Sequence, residues 1–419
     1  MIRFLKDNPV FARLWVGQLL CQSSTRMFQI AMMWWALGHA KTHPGLTGGV
    51  LLLMGVVPSV VLVNRIGRTV EKTPFRSLLL RCDAFAALTS VVFALMAYAG
   101  YASVPMLFAV VLLLATYQGF YDPTLNRAAP QLVPASSLEK AVAFLTSTQS
   151  VASFTGAVLG ALVIERLGLV GTALLNVAGY SASFLFNRML PVSAGGQKEE
   201  PQGEATGNAP PPNEEEGAWR SLRRFPFIRS ILLAFAAVNF FGTPSLIVLP
   251  TYVKWTLHGT AATLATVEAC MWLGLIAGTF GSSKISFGGS NAVRLSALCI
   301  ACMGIAVLVP GLTIGTVVYA AALACVGAAL GVNNVKMVAW FQQNVPASHK
   351  GRFFAAMQAV CAGATPLAFA IFGQITDTLG PARTCVVQAV GILLVSAWIF
   401  LLSRRDAASA TDFGVPEAT

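Results

Sequence analysis

Apolar runs of about twenty residues recur twelve times along this chain, near 11–37, 46–63, 77–99, 104–126, 139–164, 169–190, 228–253, 262–283, 291–310, 313–340, 352–376 and 382–403. Each is long enough to cross a ~30 Å hydrocarbon core as a helix. Only 11% of the residues are charged and mean hydropathy is +0.69. A soluble domain carries roughly a quarter charged residues, because water must solvate its outside. The expected fold is an all-α membrane protein with twelve transmembrane helices.

A net charge of +11 would suit a nucleic-acid binder, but the basic residues lie between the apolar runs. Of 28 Lys and Arg, 22 fall in the connections on the side of the termini. Four (Lys41, Arg166, Lys254 and Arg383) fall on the other side, and Arg26 and Lys336 lie in or near helices. The positive-inside rule then places both termini in the cytoplasm, which requires an even number of spans. The first run is too long and too polar for a cleavable signal peptide, since it holds Gln18, Gln22, Arg26 and Gln29. The eight cysteines fall in or at the edges of apolar runs, so no disulfide framework is expected.

The stretch from Pro191 to Pro226 carries three consecutive prolines and three consecutive glutamates, with almost nothing large and apolar. It reads as a flexible linker. The expected organisation is a six-helix bundle over 1–190, a cytoplasmic linker over 191–227, a second bundle over 228–403 and a cytoplasmic tail over 404–419. The halves repeat: Gln131-Leu132-Val133-Pro134-Ala135-Ser136 answers Gln343-Asn344-Val345-Pro346-Ala347-Ser348 at an offset of 212, which also carries Gly119 onto Gly331. Parallel six-helix repeats with a site between them are the layout of major-facilitator transporters.

Asn8-Pro9-Val10-Phe11-Ala12-Arg13-Leu14-Trp15-Val16-Gly17-Gln18 resembles the opening of the major-facilitator branch that contains macrolide-efflux and enterobactin exporters. Gly119-Phe120-Tyr121-Asp122-Pro123, Gln343 to Pro346 before Gly351-Arg352, and Leu249-Pro250-Thr251-Tyr252-Val253 resemble the same branch. The resemblance implies a secondary transporter in a bacterial inner membrane, a small-molecule substrate, and a cytoplasmic gate between the second and third helices. At that gate Leu62, Arg65, Gly67 and Arg68 keep the family pattern, while Asn64 replaces its Asp and Val60 its first Gly. The gating residues expected on this basis are Asn64, Arg65, Gly67 and Arg68, with Asp122 as a partner. The alternative is that these arginines only set topology. The helix-five motif of exporters is diluted to Thr155-Gly156-Ala157-Val158-Leu159-Gly160-Ala161, without its Pro.

Polar side chains inside a bilayer need a partner or a water-filled cavity. Gln18, Gln22, Arg26 and Gln29, spaced 4, 4 and 3, share one helical face. Arg26 lies roughly 22 Å in from the cytoplasmic end, too deep to snorkel easily. It is either a donor to an oxygen-rich substrate or a lock between helices. Glu268 is the one carboxylate well inside a helix of the second half, and is the candidate for proton coupling or for pairing with Arg26. Asp83, Asp122, Glu165 and Asp377 are expected near helix ends, solvated. Tyr117, Gln118, Tyr121, Asn239, Asn333 and Asn334 are further candidates for substrate contact, or for hydrogen bonds between helices. No metal site is expected from His39 and His43, which lack further ligands, and no cofactor or nucleic-acid partner is expected. No nucleotide loop and no H-E-x-x-H is present, so enzyme chemistry is not expected. The function expected is proton-coupled export of a drug or siderophore by a monomer among membrane lipids. A lysophospholipid flippase and a non-transporting receptor or scaffold stand as alternatives.

Overall fold

The computed structural model is helical throughout and describes residues 2–40, 42–134, 137–191, 226–282, 290–344 and 350–412. Nearly all of the linker expected at 191–227, and the repeat string from Val345 to Ser348, lie outside the described residues.

Chain order is α1 (Ile2–Asp7), α2 (Pro9–His39), α3 (Pro44–Val61), α4 (Val63–Lys72), α5 (Phe75–Tyr98), α6 (Val104–Leu132) and α7 (Leu138–Arg188). The second half holds α8 (Pro226–Gly242), α9 (Ser245–Thr251), a π-helical turn (Tyr252–Thr256), α10 (Ala261–Gly281), α11 (Ser290–Leu312), α12 (Thr316–Asn344), α13 (Lys350–Leu379) and α14 (Pro381–Asp412). Proline opens α2 and α3, where its missing N–H costs nothing. Among the described residues, nine helical stretches are long and apolar enough to cross a membrane. The other expected runs are α2, made more polar by its Gln and Arg face, the first part of α7, and α13.

α7 is two helices joined at Gly168, whose φ of 64° and ψ of −166° suit glycine alone. The repeat offset of 212 carries Gly168 onto Gly380, which also has a positive φ, 82°, between α13 and α14. The internal repeat thus extends to the turns that reverse the chain. Each half has its own apolar core. Phe11, Phe28, Phe93 and Tyr180 sit in the first, and Tyr252, Ile300, Phe341 and Ile392 in the second. Leu88, Leu95, Leu298 and Leu394 point outward, as a lipid-facing surface requires.

The gate segment expected between the second and third membrane helices is itself a helix. Residues 63–72 form α4, which buries Ile66 and Val70 four apart and exposes Arg65, Gly67 and Arg68. No breaker interrupts this segment before Pro74, and its charges all fit one face. Ile66 packs over Gly119 of α6, and Arg127 of α6 donates to the carbonyls of Val70 and Thr73 at the end of α4. A cation there complements the negative end of the helix dipole.

Candidate functional site

The end of α2 and the turns at Gly168, 257–260 and Gly380 form the end of the bundle away from the start of α2, its far end. Arg26 is the eighteenth residue of α2, half-buried, and its Nη1 donates to Gln29 Oε1 at 3.2 Å. It can sit there because Gly156 of α7 lies directly beneath: a Cβ at that glycine would stand 2.5 Å from Arg26 Cβ. The diluted helix-five motif is therefore the notch that seats α2. Glu268 on α10 and Asp122 on α6 both lie within electrostatic reach of Arg26. Neither closes to an ion pair among the described residues. Trp272, one turn on from Glu268, faces it with an indole N–H that has no acceptor at bonding distance. Gln18 and Gln22 are buried, and each has an Oε1 with no hydrogen-bond partner. The face foreseen on the first helix thus meets carboxylates from both halves.

Other candidates are placed elsewhere. Tyr117 and Tyr121 are packed inside the first half, 3% and 1% exposed. Tyr117 contacts Cys21 Sγ at 2.8 Å, and Tyr121 faces Ser183 Oγ at 3.4 Å. In this conformation they bond between helices. Gln118 stays beside Asp122. Asn239 donates to the Phe235 carbonyl in its own helix, Asn333 accepts from Ser296 Oγ at 2.6 Å, and Asn334 is exposed. Asp122 faces Gln118 and Arg26, with no ion pair to Arg65 or Arg68 among the described residues. The backbone of Asn64 belongs to α4. An apolar groove of about 310 Å³ between α11 and α14, with no charge in its lining, lies apart from all of these.

At the far end, the halves are joined by contacts that sequence reasoning missed. Asp377 at the end of α13 accepts from the Gly45 and Leu46 N–H groups at 2.6 and 2.8 Å, and its side chain is only 5% exposed. Those donors are the unpaired start of α3 in the other half. Glu165 in α7 accepts from the Ala262 N–H at 3.1 Å, at the start of α10. Glu165 and Asp377 are 212 apart, the offset of the repeat. Each half thus supplies a carboxylate that caps a helix of the other. Lys254, in the π-helical turn, donates to the Trp34 carbonyl at 2.9 Å and sits 4.6 Å over its ring. Gly45 and Gly49 bring α3 into backbone contact with Gly373 and Phe369 of α13. The expectation of solvated carboxylates near helix ends fails for Asp377 and for Asp83, which is fully buried, because neighbouring helices cover them, and for Asp122, which lies well inside α6, half-buried beside Arg26. The signal available was the 212 offset, which pairs Glu165 with Asp377.

Two helical halves, each with its own apolar core, meet around buried charge and are joined by caps at one end, which defines a polytopic membrane protein. The chain matches the Major Facilitator Superfamily over residues 14–368 and belongs to it. An uncharacterized MFS-type transporter of Bacillus subtilis (strain 168), YkuC, is 22% identical over 430 residues, covering 98% of this chain and 96% of that one. Among solved structures, a bacterial homologue of the iron transporter ferroportin in an inward-facing state aligns with a TM-score of 0.72 at 14% identity, over 94% of this chain and 98% of that one. The nucleoside transporter NupG aligns with a TM-score of 0.69 at 13% identity, over 94% and 98%. At such identities the structures speak for the fold alone.

Proposed function

We propose that this chain is a secondary active exporter of a small amphipathic or oxygen-rich molecule, coupled to protons, of the branch that holds macrolide-efflux and enterobactin exporters. One observation carries the reading: Arg26 stands where the halves meet, between Asp122 of one and Glu268 of the other, and is paired with neither. Its guanidinium, bonded only to Gln29 of its own helix, keeps a planar fork of donors for a carboxylate or phenolate. The unanswered Gln18 and Gln22 oxygens suit hydroxyl donors on the same ligand. Arg65, Gly67 and Arg68 remain the proposed gate at the terminal end, with the helical frame of α4 in place of a loop.

Glu268 is the coupling carboxylate in this reading. Rocking of the halves changes how far it is desolvated, and with it its affinity for a proton. Glu268→Gln keeps the shape and removes the titration. In proteoliposomes the variant is expected to lose substrate movement driven by a pH gradient while keeping counterflow. Undiminished pH-driven transport by a stably folded variant would reject Glu268.

Both termini are proposed to be cytoplasmic in a bacterial inner membrane, from the distribution of basic residues. In a cysteine-free background, an impermeant thiol reagent added to intact cells is expected to label a cysteine at Thr42 and to miss one at Gly203. The reverse pattern inverts the topology.

A further inference from the structure

Asp83 is the most enclosed charge-bearing side chain of the first half. It sits on the third turn of α5 with no exposed surface. Its Oδ2 accepts from Ser183 Oγ at 3.0 Å and from Asn187 Nδ2 at 2.7 Å, both on α7. Its Oδ1 has no hydrogen-bond partner, and neither has the Oδ1 of Asn187. The groups around it are Cys82 on α5, Cys21 on α2, Tyr117 and Tyr121 on α6, and Tyr180, Ser183 and Asn187 on α7, and the Tyr117 hydroxyl faces Asp83 without coming to bonding distance. None of them is basic, and no Lys, Arg or His pairs with Asp83 among the described residues.

Counting donors and acceptors exposes a deficit. An ionised carboxylate only accepts, and two buried oxygens of this cluster, both fully enclosed, go unanswered. What the cluster lacks is a single donor or a single positive charge. A bare carboxylate inside a membrane domain, with no counter-charge, costs several kcal/mol. We propose that Asp83 is a binding site for one small monovalent cation, a proton or a sodium ion, in the body of the N-terminal half. This site is separate from the Arg26–Glu268 meeting place and does not depend on the identity of the substrate. It connects toward that place through Tyr117, whose hydroxyl meets Cys21 Sγ at 2.8 Å, and Cys21 is within electrostatic reach of Asp122.

The test uses the full chain in lipid nanodiscs, grown with and without ¹³C-carboxyl aspartate, and infrared spectroscopy in sodium and in choline buffers at neutral pH. If the cation is a proton, the labelled protein shows an isotope-shifted carboxylic-acid band that Asp83→Asn removes, with no response to sodium. If it is sodium, that band is missing in sodium buffer, and sodium raises the melting temperature of the parent by several degrees but not that of Asp83→Asn. Should Asp83→Asn fail to fold, an Asp122→Asn, Asp377→Asn background leaves Asp83 as the one aspartate in the apolar interior, and the same band and sodium response are read there. A protein with neither the band nor a sodium response holds Asp83 as a bare carboxylate, and the proposal falls.

Discussion

Removing the two far-end caps together, as Glu165→Ala with Asp377→Ala, is expected to shift the protein toward a conformation open at that end. Each carboxylate makes charge-assisted hydrogen bonds to helix-start N–H groups, worth about 1.5 kcal/mol or more per bond. Both are made between halves, so both are lost when the halves separate. The Glu165 bond is open to solvent and screened, so the two Asp377 bonds carry most of this, about 3 kcal/mol, which moves a two-state equilibrium by roughly a hundredfold. The measurement is a spin-label distance between Thr42 and His258, exposed far-end positions on opposite halves. The double variant should populate a longer distance that the parent lacks, and each single variant should fall between. An unchanged distribution would mean that the glycine contacts of α3 with α13, and the Lys254 bond to Trp34, hold the end shut without the carboxylates.

The second large effect is expected at Arg26. Arg26→Ala should weaken substrate binding by roughly a hundredfold, the ordinary result of stripping one partner from a desolvated charged contact. Arg26→Lys should lose at least about tenfold, because an ammonium cannot reproduce the fork. A macrolide and a catecholate siderophore are suitable probes, with affinity measured on purified protein. Removing the cation also leaves Asp122 and Glu268 each without the positive charge within their electrostatic reach. Arg26→Ala should therefore melt lower than the parent, and Glu268→Gln added to it should restore part of the loss. That non-additivity separates a charge effect from lost packing. Parent-like affinity in Arg26→Ala, together with strict additivity, would make Arg26 an ordinary packing residue.

Much of this architecture was legible beforehand, and the failures share a cause. Hydrophobic runs report which segments enter lipid, because that depends on composition averaged over twenty residues. The face carrying Gln18, Gln22, Arg26 and Gln29 was legible for a similar reason, since helical spacing alone brings those side chains together. Asp83 and Asp377 were misjudged because distance from a helix end says nothing about whether another helix covers the residue. Tyr117 and Tyr121 were placed on the right helix, but which of its sides meets α2 and α7 is a tertiary fact. The family pattern at the gate says nothing of its secondary structure, whereas the periodicity of the α4 segment, with Ile66 and Val70 four apart, describes a helix.

α10 and α12 touch through four glycines. A Cβ at Gly274 would collide with the Ala324 carbonyl, at Gly278 with that of Ala328, at Gly327 with that of Met271, and at Gly331 with that of Leu275. Main chain lies against main chain over these turns, so no layer of side chains is left between the two helices to slide. Glu268 sits on α10 just before this seam, and Asn333 on α12 just past it. Whatever displaces the carboxylate therefore drags both helices as one stiff plate. At this place the C-terminal half is built as a lever rather than a cushion, with little between the two helices to absorb a movement that starts at the buried charge.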